Sequence, residues 1–166
     1  KNLWNPAAVL LLAALAACLF LFAGCDQGSE AGDPLSGTMT FVIEDDSGAV
    51  EEVEADLSGF TTSDKVLDVM EKLQSDGVLC YEISNGMLHK LGIVEDGQNN
   101  FILDDSNGAW FGFLTSVDAD KGDPDTMNGW PSEYKGTEIR PSMVGVESAS
   151  IESGAVIYFA NYAPMG

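Results

Sequence analysis

The chain has 166 residues, with 27 Asp and Glu against 7 Lys and Arg, and a net charge of −20. That excess of acid excludes general binding of nucleic acid, whose phosphates require a basic surface. It also excludes purely electrostatic attachment to anionic lipid, which repels such a surface.

Residues Ala7 to Gly24 form an apolar run of 18 residues without a charge. Cys25 closes the run, and polar, acidic residues from Asp26 onward follow at once. Small residues Ala23 and Gly24 before a cysteine are what a signal peptidase needs, so residues 1–25 read as a lipoprotein signal peptide with Cys25 lipidated. Leu15-Ala16-Ala17-Cys18 is a second site that fits the lipobox pattern better. Cleavage there would leave the apolar Leu19-Phe20-Leu21-Phe22 at the new terminus, which favours Cys25. An uncleaved membrane anchor and plain secretion are the alternatives. Each buried acyl methylene contributes about 0.8 kcal/mol, so several chains hold a protein on a membrane. The expected location is extracytoplasmic and membrane-attached. Residues 26–36 form a flexible acidic linker, and 37–166 one domain of about 130 residues, enough for a core.

Thr38 to Glu44 alternates as a strand, Asp45-Asp46-Ser47-Gly48 turns, and Ala49 to Ala55 returns, with Glu51, Glu52 and Glu54 marking an exposed edge. A helix follows. Ser63 can cap it, Asp64 favours its N-terminal dipole, and Val66, Leu67, Val69, Met70 and Leu73 form its apolar stripe. Gly77 stops it. Val78 to Ser84 and Met87 to Val94 make a hairpin about Asn85-Gly86. Cys80 within it reads as a buried structural thiol. Glu95 to Asn100 reads as a loop, Phe101 to Leu103 as a short strand and Asp104 to Gly108 as a turn. Ala109 to Thr115 is an aromatic-rich strand, Val117 to Pro131 a long loop, Val144 to Ser150 a segment able to pair, and Ala155 to Tyr162 the last strand. The pattern predicts an α+β domain, one helix packed on a mixed, mainly antiparallel sheet, and it resembles a β-grasp arrangement.

Val66-Leu67-Asp68-Val69-Met70-Glu71-Lys72-Leu73-Gln74, then Tyr81-Glu82-Ile83-Ser84, Leu91-Gly92-Ile93, Ala109-Trp110-Phe111-Gly112-Phe113-Leu114-Thr115 and Ala155-Val156-Ile157-Tyr158-Phe159 occur in that order. Together they resemble the C-terminal domain of transcobalamin and intrinsic factor, and the related domain of unknown function in bacterial lipoproteins. In the animal relatives that domain is one lid of a cobalamin sandwich, and the helical barrel that forms the other is not part of the resemblance. The resemblance implies a cobalamin-like ligand, or a partner supplying the second half, with Trp110, Phe113 and Leu114 carried over as ligand-facing residues. Strand alternation puts Trp110, Gly112 and Leu114 on one side and Phe111, Phe113 and Thr115 on the other, so one ligand meets both sets only if the strand bends at Gly112. The competing reading is a central strand buried on both sides. Trp130 and Tyr134, with Trp110, offer an aromatic platform, and a plain hydrophobic plug beneath the long loop is the reading preferred over it.

Asp118, Asp120, Asp123 and Asp125 around Gly122 offer oxygens to a hard cation such as Ca²⁺, but Gly122 occupies the third acidic slot and no bidentate Glu follows, so a solvated turn is the competing reading. His89 is the chain's single histidine, and no nucleophile–base–acid arrangement or zinc set is legible. The expected function is therefore non-catalytic binding at the cell envelope, of a small molecule or of an envelope protein. A structural or adhesive module is the alternative.

Overall fold

The computed structural model describes residues 32–108, 110–123 and 130–162. The apolar run, Cys18, Cys25 and Asp125 lie outside the described residues, and no helix among those described is long and apolar enough to cross a membrane.

Alternating apolar side chains drive the main sheet. Strand β1 (Thr38–Glu44) pairs antiparallel with β2 (Val50–Asp56), which lies at the sheet edge and exposes Glu51, Glu52 and Glu54. On its other side β1 pairs in parallel with the last strand, β10 (Val156–Tyr162), with Phe41 opposite Ile157. Strand β6 (Trp110–Thr115) runs antiparallel to β10, and the two-residue β9 (Arg140–Pro141) completes the order β2-β1-β10-β6-β9. The chain is thus α+β, with sheets of mostly antiparallel strands. Ahead of β1, Leu35 N–H donates to the Phe60 carbonyl at 2.8 Å and Thr62 N–H to the Asp33 carbonyl at 2.9 Å. The hydrogen-bonded body therefore takes in residues that read as the end of the linker.

The helix α1 (Val66–Ser75) buries Val66, Val69, Met70 and Leu73 against the main sheet's inner face. Its start differs from the sequence expectation. Asp64 accepts from Thr61 N–H and Oγ1, while Asp68 accepts from Lys65 N–H at 2.7 Å. Two of the free N–H groups that any helix start leaves, those of Val66 and Leu67, donate to the carbonyls of Ala149 and Val146, both at 3.0 Å. Segment 144–150 thus caps the helix and forms no strand beyond a single bridge between Ser150 and Lys65. At the other end, Gly77 N–H bonds the Gln74 carbonyl and Val78 N–H that of Leu73, a paired closure that ends the helix as expected.

A second sheet is a meander of β3 (Leu79–Ser84), β4 (Met87–Glu95) and β5 (Gln98–Asp104). Residues Gln98 to Asn100, expected as loop, belong to β5 because Asp96-Gly97 makes a two-residue turn with both residues at positive φ. Lys135-Gly136 does the same between β7 (Glu133–Tyr134) and β8 (Thr137–Glu138), a small hairpin the sequence did not reveal. Cys80 is buried, its Sγ 3.3 Å from the Ile93 carbonyl, and desolvation pushes its thiol pKa up.

The main sheet is covered on both faces. Met39, Phe41, Ile43, Ile157 and Phe159 point toward the helix and the meander. Val42, Leu114, Val156 and Tyr158 point the other way and pack with Ile139, Trp130 and Tyr134. The six-membered ring of Trp130 occupies the space beside the Gly112 main chain, where an added Cβ would come 1.2 Å from a ring carbon. Gly112→Ala should therefore destabilise by about 1–3 kcal/mol through overpacking. In thermal unfolding, adding Trp130→Ala to Gly112→Ala should change the midpoint by less than the sum of the two single changes.

Candidate functional site

A cavity of about 400 Å³ opens where the tip of the β3–β4 hairpin meets the main sheet. Its size falls within the roughly 300–1,000 Å³ of small-molecule sites. Cross-strand pairing of β6 with β10 sets Phe113 opposite Phe159, and their rings stack at 5.2 Å and 14°. Phe111, two residues back along β6, extends this aromatic wall. Met87 and Leu88 enter from β4 and Val146 from the segment that caps the helix. Met87 is 52% exposed, an apolar side chain held at the cavity mouth. Asp105, in the 3-10 turn Asp105–Asn107 after β5, is the charged side chain among the described residues that line the cavity.

Behind Asp105 stands His89, on β4. Its Nδ1 lies 2.6 Å from Asp105 Oδ2 and its Nε2 lies 3.2 Å from the Ser84 carbonyl oxygen. Both ring nitrogens face acceptors, an arrangement that only the doubly protonated imidazolium satisfies. The Asp105 hydrogen bond is the largest cause of a raised His89 pKa, and desolvation opposes it. His89 and Asp105 side chains are 33% and 28% exposed, so solvent screens the pair in part. The imidazolium ties the hairpin to the 3-10 turn, two walls of one cavity.

The residues singled out from sequence divide between opposite faces of the main sheet. Phe113 lines the cavity. Leu114 is fully buried on the other face with Trp130 and Tyr134. Tyr134 meets Tyr158 edge-on at 5.5 Å and donates its hydroxyl to Glu52 Oε1 at 2.8 Å; desolvation, then the Glu52 hydrogen bond, push its pKa up to about 12. Trp110 begins β6 opposite Tyr162. The cavity residues that sequence reading missed are Phe111, Phe159, Met87, Leu88, Val146 and Asp105. Alternation alone already put Phe111 with Phe113; only the pairing of β6 with β10 could bring in Phe159.

The acidic loop separates in the same way. Asp118 is exposed and pairs with Lys121 at 2.8 Å, which lowers its pKa and raises that of Lys121. Lys121 also reaches Glu138 at 3.2 Å. Asp120 is buried: its Oδ2 accepts from Ser150 N–H at 2.5 Å, and its carbonyl accepts from Met143 N–H at 2.9 Å. Asp123 lies on the exposed approach to residue 124, and Asp125 lies outside the described residues. Among the described residues no group of three or more His, Cys, Asp or Glu side chains is placed to hold a metal ion.

Two outcomes follow for solution measurements. Asp120→Ala leaves the Ser150 N–H without its acceptor and should lower stability by about 1–3 kcal/mol in denaturant unfolding, with or without Ca²⁺. For His89, the folded pKa is raised, so its stabilising contribution is complete below the ordinary imidazole value of about 6.5 and is lost as pH rises through the folded value. The melting-temperature advantage of the native protein over His89→Gln should therefore be fullest below about pH 6.5 and shrink as pH rises above it. No family model matches the sequence, and no curated protein matches it.

Proposed function

We propose that this chain is a lipid-anchored extracytoplasmic protein, attached through Cys25, whose domain captures a ligand without transforming it. The observation that carries this reading is the aromatic cavity walled by Phe111, Phe113 and Phe159. Its lining supplies apolar area and one carboxylate, which suits retention of an apolar body better than proton transfer or nucleophilic attack. The resemblance to the transcobalamin C-terminal lid makes a corrinoid the first ligand class to test. A corrinoid is larger than the cavity and would seat one edge there, its remaining surface held by a partner or left to solvent.

A structural or adhesive module is the second reading. It is favoured by the placement of Leu114, Trp130 and Tyr134, which pack together on the back of the sheet.

Calorimetric titration with cobinamide and cobalamin, with and without Ca²⁺, separates the two. Ligand capture requires micromolar or tighter binding that weakens about tenfold or more in Phe113→Ala, a change of about 1.4 kcal/mol. Met87→Asp, at an exposed position, should weaken binding similarly while leaving the fold intact. Absence of heat with both corrinoids favours the adhesive module.

A further inference from the structure

We propose that the aromatic cavity selects an amphiphilic organic cation, an apolar body bearing an ammonium group that sits at the Asp105 carboxylate in competition with His89. This rests on the reading of the cavity as the ligand site and narrows the chemistry of what enters it.

Three observations converge. The faces of aromatic rings attract cations, and the half-buried Phe111 and Phe113 line this space, Phe113 stacked on the buried Phe159. Asp105 lines it with a carboxylate whose Oδ2 holds His89, while the group as a whole can accept several further hydrogen bonds. A second carboxylate, Glu147, stands at the rim: a Cβ added at Gly86, itself a lining residue, would lie 3.7 Å from its Oε2. No Lys or Arg is among the described residues that line the cavity. The nearby Lys90 turns to Glu82 at 3.0 Å and over the Phe101 ring at 5.2 Å. An anionic ligand would have to approach a chain of net charge −20 without a cationic partner in the cavity.

His89 makes the selection depend on pH. The groups that face it are Asp105 from the 3-10 turn and the Ser84 carbonyl and Glu82 from β3, with Lys90 next to it in the chain. While the imidazole carries its second proton, it balances the Asp105 charge. Once that proton leaves, the carboxylate charge is open to a ligand ammonium. Linkage is reciprocal, so a bound ammonium weakens the hold of His89 on its proton and binding releases it.

The test compares three ligands of one shape on the full chain: phenethylammonium, neutral 2-phenylethanol and anionic 3-phenylpropionate. Titrations at about pH 6 and about pH 8.5 lie on either side of the ordinary imidazole value, and phenethylammonium stays protonated at both. The expected result is phenethylammonium at least about fivefold tighter than 2-phenylethanol at the higher pH, from one partly screened ion pair and one ring contact. Asp105→Asn should remove most of that preference, leaving what the ring contact supplies, and its growth with pH should vanish in His89→Gln. Equal or tighter binding of 3-phenylpropionate overturns the proposal, as does a preference for the ammonium that Asp105→Asn leaves undiminished. In both cases binding of 2-phenylethanol that is lost in Phe113→Ala leaves the cavity standing as the ligand site. If all three ligands fail while cobinamide binds, the cation class falls and the capture reading survives. If cobinamide fails as well, both fall.

Discussion

The buried carboxylate of Asp120 is the contact on which the entry of the helix and one wall of the cavity depend. Through its side chain it holds Ser150, and through its own carbonyl it holds Met143. Those two points fix the ends of a segment that has almost no regular structure of its own. Fixed there, the segment presents the carbonyls of Val146 and Ala149 to the open start of the helix and the side chain of Val146 to the cavity. A buried polar group without partners costs several kcal/mol, and this one has them all from main chain and a serine. One acidic residue thus couples the entry of the helix to the wall of the pocket. The acidic run that looks from sequence like a cation loop places its buried member in that structural role.

Much of the fold was legible because the periodicities are strong. The alternation of β1, the apolar stripe of the helix and the aromatic β6 all reappear with nearly the same limits. The helix start was only partly legible: Asp68, which caps Lys65, is local, but the carbonyls of Ala149 and Val146 lie some eighty residues away, and no local pattern carries those. The polar residues Gln98 to Asn100 masked a strand, although Asp96-Gly97 is as strong a hairpin signal as Asn85-Gly86. The β7–β8 hairpin turns on Lys135-Gly136, a pair with little propensity to announce it. It is secured instead by Lys135 and Tyr134 on Glu52 of the edge strand.

The site was half legible for a related reason. Sequence alternation correctly separates Phe111 and Phe113 from Leu114. It is silent on which strands lie beside β6, and so on whether an aromatic face closes a pocket or joins a core. Both happen. The face that carries Phe113 meets Phe159 and stays partly open, while the face that carries Leu114 is sealed by Trp130 lying over Gly112. His89 was legible only as a lone histidine without a catalytic or zinc set; its two acceptors, Asp105 and Ser84, are brought together by a meander whose third strand was only partly foreseen.

The parallel pairing of β1 with β10 joins the first strand of the domain to its last and leaves β10 inside the sheet. Until that strand is available, β1 and β6 have no neighbour between them, both apolar layers lack their middle, and the cavity lacks Phe159. Such distant contacts close slowly, because loop entropy must be overcome before they bring any gain. A polypeptide built this way cannot consolidate while it is still being made. The main sheet closes only once β10 is present, after nearly all of the described domain has been made.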